Sequence, residues 1–218
     1  MYNLDMEFLK NIIDFFLHID KNLAMVINQF GLWSYAILFF VIFMETGLVV
    51  TPFLPGDSLL FAAGALTASL GVFDIKLLWI LMLLAAFLGD TANYWIGHFI
   101  GPKAFNSKSR FLKKEYLDKA QAFYDKYGGK AIVLARFVPI VRTFAPFVAG
   151  IGKMHYGKFL SYNAIGGFIW VSLMLFAGYF FGNIEFVKTN FHYVVVVIIA
   201  VSLVPILVEV IKAKREKK

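Results

Sequence analysis

Residues 136–150 read RFVPIVRTFAPFVAG. Arg136 and Arg142 stand in an otherwise apolar run that Pro139 and Pro146 punctuate. A charge at the centre of a membrane helix costs roughly 2.5–3.5 kcal/mol on insertion scales, so such arginines need a partner or a purpose. On one continuous helix a six-residue separation is about 600° of rotation, and the two side chains would leave on different faces. Proline cannot donate to the helix ladder. Breaks at Pro139 and Pro146 therefore predict a bent segment in which both guanidinium groups converge. Broken helices also leave free N–H groups that bind anions, and arginine adds a flat, permanently charged fork suited to phosphate or carboxylate.

The rest of the chain sets this segment in a bilayer. Of 218 residues, 60% are hydrophobic and only 16% charged, against about 25% charged in soluble domains. This composition predicts one integral membrane domain. The absence of cysteine excludes disulfides, thiol catalysis and Cys-ligated metals. His18, His98, His155 and His192 lack metal-ligand spacing, and no cofactor is expected. Eight Lys/Arg fall in 102–130 and five in the tail 212–218, KAKREKK. Neither cluster interleaves base-stacking aromatics, so both read as the basic flanks of membrane segments rather than as nucleic-acid sites. Asp5, Glu7, Asp14 and Asp20 argue against a cleavable signal peptide at 1–21.

The pattern is helical throughout. Leu4, Phe8, Ile12, Phe16, Ile19, Leu23 and Ile27 make one stripe, which predicts an amphipathic interfacial helix over 1–30. A membrane domain follows over 31–182, then a spanning helix within 183–211 and the basic tail 212–218. Inside the domain, 75–100 is apolar and interrupted at Gly89-Asp90, and 159–184 is the clearest span. Segment 102–130 carries an amphipathic helix that Gly128-Gly129 stops.

Charge bias sets the sidedness. Basic loops stay cytoplasmic, which places 212–218 inside, 183–190 outside and GKMHYGK at 152–158 inside again. Segment 102–130 is also basic, so 131–151 must enter and leave on one side. That parity predicts a re-entrant hairpin. In the first half, 51–71 reads as a second hairpin of opposite orientation, broken at Pro52, Pro55 and Gly56. Residues 33–48 are either a full span or one leg of it. PFLPGDSLLFAAG at 52–64 is similar to PIVRTFAPFVAG at 139–150, which suggests an inverted repeat with a site at its centre. The expected fold is thus all-α and polytopic, with two oppositely oriented re-entrant hairpins.

Five charges lie in or beside apolar runs: Glu45, Asp57, Asp90, Arg136 and Arg142. Unpaired, they would cost on the order of 12–17 kcal/mol together, so they pair, protonate or face water. Asp57 is read two ways, as the N-cap of a helix beginning near Gly56 or as part of the site. Glu45 has no capping role. A carboxyl in apolar surroundings can exchange protons near neutral pH, as proton coupling requires. Asp90 is an accessory candidate. The alternative for the whole set is internal neutralisation that pins the helices together. The tryptophans and tyrosines read as interfacial anchors and Gly166-Gly167 as a packing pair.

ETG at 45–47, PFLPGD at 52–57, GD at 89–90 and RFVPIVRTFAPFVAG at 136–150 resemble the DedA family, within the wider group carrying the SNARE-associated or VTT domain. The likeness covers about residues 30–180 in order and spacing. It implies re-entrant helices of opposite orientation. It also implies important acidic residues at Glu45 and Asp57 and important arginines at Arg136 and Arg142. Bacterial members look like lipid-carrier transporters, with undecaprenyl phosphate among their proposed substrates. Others are associated with proton-dependent homeostasis, and eukaryotic relatives with phospholipid scrambling.

The expectation is a proton-coupled transporter or flippase for a lipid phosphate, undecaprenyl phosphate first, in the bacterial inner membrane with its C-terminus cytoplasmic. Its partners would be the lipid phosphate headgroup bound by Arg136 and Arg142, membrane lipids, and protons carried by Glu45 and Asp57. Self-association is left open. A proton or cation antiporter, a phospholipid scramblase and a non-transporting structural protein are the alternatives. Absence of Gly-x-Ser-x-Gly, His-Glu-x-x-His and phosphate-loop patterns weighs against an enzyme.

Overall fold

The structure, a computed structural model, describes residues 30–48, 56–100, 114–138 and 141–190, with Tyr193 and Val197. The expected N-terminal amphipathic helix, Pro52, Pro55, Pro139, most of the last expected span and the basic tail lie outside these residues.

All regular structure among the described residues is helical. In chain order, α1 is Leu32–Gly47, α2 Gly56–Leu70, α3 Ile75–Ile100, α4 Lys114–Tyr127, α5 Ala131–Ala135, α6 Val141–Ile151, α7 Tyr156–Gly182 and α8 Glu185–Thr189. A 3₁₀ turn, Gly128–Lys130, joins α4 to α5. Gly128 has φ +58°, a left-handed conformation that glycine adopts without a Cβ penalty. The expected end of the amphipathic helix falls there.

Among the described residues two helices are long and apolar enough to cross a bilayer, α3 with 26 residues and α7 with 27. At about 1.5 Å per residue each runs about 40 Å, beyond the ~30 Å hydrocarbon core. Leu77, Ile80, Leu84 and Leu88 recur along one exposed face of α3, and Ile165, Phe168, Ile169 and Leu173 along one of α7. Contiguous apolar faces of this kind suit lipid rather than water.

α3 runs through Gly89-Asp90 as one helix, and of the expected breaks the one at Pro146 is not found. Gly89 permits close approach, because a Cβ there would meet the Thr46 side chain and the Phe43 carbonyl of α1. Pro146 lies inside α6 and does not break it. Residues 143–150 are buried on every face, and that packing offsets the missing ladder bond, a loss of about 3 kcal/mol in a helix interior. The described interruption begins at Arg136, where α5 ends. The Phe137 and Val138 amides close tight turns onto Leu134 and Ala135, and the Arg142 amide then bonds the Val138 carbonyl as helix resumes.

The chain forms two compact units. One holds Asp57–Ile75 and the chain from Met174 on, with the residues up to Ser34. Here α2 meets the end of α7 backbone to backbone. A Cβ on Gly64 would strike the Leu175 carbonyl, one on Gly178 the Phe61 carbonyl, and one on Gly182 the Ala65 backbone. Ser69 Oγ donates to the Gly182 carbonyl at 2.9 Å. Small residues allow such approach where lipid supplies no hydrophobic drive.

The other unit holds Tyr35–Gly56 and Lys76–Leu173. Its axis is α3, whose buried face runs Leu78, Met82, Ala85, Ala86, Gly89, Asp90, Asn93, Tyr94 and Gly97 at helical spacing. α6 lies against it, with Gly97 facing the Phe147 carbonyl and Gly150 the Tyr94 carbonyl. α4 packs on α5 and α6. Tyr94 stacks on Phe159 with ring centroids 4.5 Å apart and donates its hydroxyl to the Met154 carbonyl.

Candidate functional site

The second unit collects four of the five intramembrane charges. Each arrives from a different element. Glu45 stands near the end of α1, Asp90 at mid-length of α3, Arg136 at the C-cap of α5 and Arg142 in the first turn of α6. Both arginines, one at the end of α5 and one at the start of α6, reach the same cleft. Arg136 Nη2 pairs with Asp90 Oδ2, and Arg142 Nη2 with Glu45 Oε1. The side chains of Arg136 and Asp90 are each 6% exposed, Glu45 1% and Arg142 15%. Buried pairs of this kind gain little net stability over an apolar core, but removing one partner costs about 3–5 kcal/mol because a bare charge remains.

Arg136 is the more deeply buried of the two. Its Nη2 also donates to Asn163 Oδ1 at 2.6 Å. Asn163 is fully buried and is fixed in turn by donating Nδ2 to the Phe87 carbonyl at 3.1 Å. Gly166 and Gly167 form the bed of the guanidinium. A Cβ on Gly166 would stand 3.0 Å from Arg136 Nε. The Gly-Gly pair read as helix packing does admit the Val133 backbone at Gly166, and it also seats an arginine.

Arg142 is anchored through a shared acceptor. Glu45 Oε1 accepts both from Arg142 and from the Gly56 amide, the latter at 3.1 Å. A Cβ on Gly56 would overlap the Glu45 carboxyl group, so only glycine lets the oxygen reach this amide. Trp170 sits beneath both arginines, with each guanidinium carbon 5.7 Å from its ring. At 2% exposure it is no interfacial anchor. It is an aromatic floor whose π-face favours cations.

A second buried asparagine sets the spacing. Asn93 Nδ2 donates to the Thr46 carbonyl at 3.0 Å and to the Thr143 carbonyl at 2.7 Å. These are the residues immediately after Glu45 and Arg142, so one amide of α3 fixes the ends of α1 and α6 that carry the pair. Glu45, Thr46, Asp90, Arg136, Arg142, Thr143 and Trp170 line one open cleft. Its chemistry is that of a small anion site whose charges are internally balanced.

Asp57 is not among the residues lining this cleft. It stands half-buried in the first turn of α2, in the other unit, where a carboxylate complements the helix dipole. Asn93, Asn163 and Trp170 were not singled out by pattern. Asn163 did carry a signal, as an amide inside an apolar span. Asn93 shares a helix face with Asp90 three residues earlier. Among the described residues no group of three or more His, Asp or Glu side chains gathers as a metal site.

Apolar helices of bilayer length around a buried cluster of paired charges define a helical membrane protein with an internal polar site. Residues 54–180 match the VTT domain. The chain is 55% identical over 213 residues to Protein DedA of Escherichia coli (strain K12), covering 96% of this chain and 97% of that one. It is 44% identical over 180 residues to the uncharacterized membrane protein Rv0364 of Mycobacterium tuberculosis, covering 82% and 79%. Inner membrane protein YghB of Escherichia coli (strain K12) is 36% identical over 157 residues, covering 72% and 71%. The chain belongs to the DedA family of VTT-domain membrane proteins. No solved structure matches it significantly.

Proposed function

We propose that the protein moves a lipid phosphate, undecaprenyl phosphate in the first place, across the bacterial inner membrane in a proton-coupled step. One observation carries this reading: two arginines from either side of a helix break converge on a cleft that also holds two carboxylates. Arginine forks match phosphate, and a headgroup entering such a cleft leaves its polyprenyl tail in lipid. Glu45, 1% exposed and bonded to Arg142, is the proton carrier. Asp90 takes the structural share of the charge, and Asp57 acts from its own unit. The names of inner-membrane relatives support the location.

In this reading 131–151 is a re-entrant hairpin. α5 and α6, of 5 and 11 residues, are each too short for a ~30 Å core. α2, of 15 residues, is likewise too short to cross and belongs to the opposing hairpin over 51–71. The test is flipping of a labelled polyprenyl phosphate in vesicles containing the purified protein. Arg142→Ala is expected to lower the rate at least about tenfold, the loss of one charge-assisted contact. Unchanged flipping after both Arg136→Ala and Arg142→Ala would sink the mechanism.

A second reading has its own support. Both arginines already hold carboxylate partners, as they would if they served only as counter-charges in a proton or cation antiporter. Ion-driven proton flux in vesicles lacking any lipid phosphate would favour it.

A further inference from the structure

Glu45 already stands where an anion would bind. Its Oε1 takes a hydrogen bond from the Gly56 amide and an ion pair from Arg142. Arg136 and Trp170 complete the surroundings, and the cleft opens beside them. A guanidinium, a backbone amide at a helix start and nearby positive charge are the parts of an oxyanion seat. The glycine at 56 keeps that amide open to an oxygen, since a Cβ would fill the space the carboxyl group occupies.

The two ion pairs are not equivalent. Asp90–Arg136 is the more deeply buried, each side chain 6% exposed, with Asn163 as an additional acceptor and Gly166 and Gly167 beneath the guanidinium. Glu45–Arg142 has the more exposed arginine, at 15%. The charged groups that line the cleft with Glu45 are Arg142 from α6, Arg136 from the end of α5 and Asp90 from α3. Thr46 and Thr143 supply the uncharged polar lining.

We propose that the Glu45 carboxylate is a resident competitor in the substrate's own seat, displaced by the tetrahedral anion of a lipid phosphate when Glu45 takes up one proton. The inference rests on the lipid-phosphate reading and gives it a coupling rule. Glu45–COO⁻ accepts H⁺ from water and becomes Glu45–COOH, releasing Arg142 and the Gly56 amide. One negative charge on the headgroup then replaces the one removed, so the cleft's net charge is unchanged. Release runs the same steps backward. Arg142 changes partner in every cycle, whereas Arg136 keeps Asp90 and acts through its field.

The probe is citronellyl sulfate, a monoanionic ester whose charge is constant from mildly acid to mildly alkaline pH. It is titrated calorimetrically into the full-length protein in detergent, in two buffers of different ionisation enthalpy. For the wild type, about one proton is expected to be taken up per probe bound, with affinity falling about tenfold per pH unit on the alkaline limb. Glu45→Gln should bind more tightly and without pH dependence, and Arg142→Ala should bind weakly at every pH. Binding without proton uptake by the wild type overturns the proposal, as does Glu45→Gln keeping the wild-type slope. The wild-type measurement needs no variant to fold. No binding to wild type or Glu45→Gln at any pH also overturns it. Proton-linked binding of the sulfate, with no flipping of polyprenyl phosphate in vesicles, would overturn the lipid-carrier reading and leave the exchange at Glu45 standing.

Discussion

Arg136 meets Asp90 and Asn163 and rests on two glycines, whereas Arg142 meets Glu45 beside an open cleft. The sequence presents them as equals six residues apart. Their difference comes from residues 27 or more positions away, which no local pattern reports. It has a measurable consequence. Asp90→Asn keeps the shape of the side chain but leaves the Arg136 charge buried without its counter-ion. It is expected to lower stability by about 3–5 kcal/mol, read as thermal or denaturant unfolding of the purified protein. Adding Arg136→Gln to Asp90→Asn should recover part of that loss, because a neutral pair leaves no bare charge. If Asp90→Asn leaves stability unchanged, the Asp90–Arg136 pair is not the fixed member of the cluster. The charges themselves were legible as residues too costly to leave in lipid unpartnered. Which acid would choose which arginine was not, since pairing depends on how α1 and α3 approach the break.

At the scale of elements, the break that begins at Arg136 was legible because two arginines and a proline disagree with a continuous helix. The break expected at Pro146 was misread, and Gly89 inside α3 shows the same reason. Proline and glycine mark a loss of local helix propensity, but packing decides whether the helix yields. Around Pro146 every neighbour from 143 to 150 is buried, and Gly89 is where α1 needs room. Asn93 acts at this same scale, tying α1 and α6 to α3 through two backbone carbonyls. Replacing it by leucine keeps the volume and leaves both carbonyls without that donor. The expected cost is about 1–3 kcal/mol for each, with a larger fall in transport than in folded protein because the Glu45–Arg142 spacing loosens. Flipping rate per folded molecule is the measurement. Transport that only tracks abundance would make Asn93 a packing residue.

For the whole molecule, helical class and membrane character followed from composition, and the two long spans from their hydropathy. Sidedness is a different kind of property, because it depends on a bilayer and on loop charges outside the helices themselves. The parity argument makes it testable. If 131–151 is re-entrant, residues before α5 and after α6 share one face of the membrane. If the segment spans, they face opposite ways. The break leaves α6 with 11 residues, about 16 Å of helix, roughly half of what a crossing needs. The chain has no cysteine, so single-cysteine variants report without background. Lys130 and Lys158 are both exposed and flank the segment. Lys130→Cys and Lys158→Cys are expected to react with a membrane-impermeant maleimide from the same side, the cytoplasmic one in both cases. Labelling from opposite sides would make 131–151 a crossing, invert the first half relative to the second, and remove the symmetry that gives a headgroup access from both leaflets.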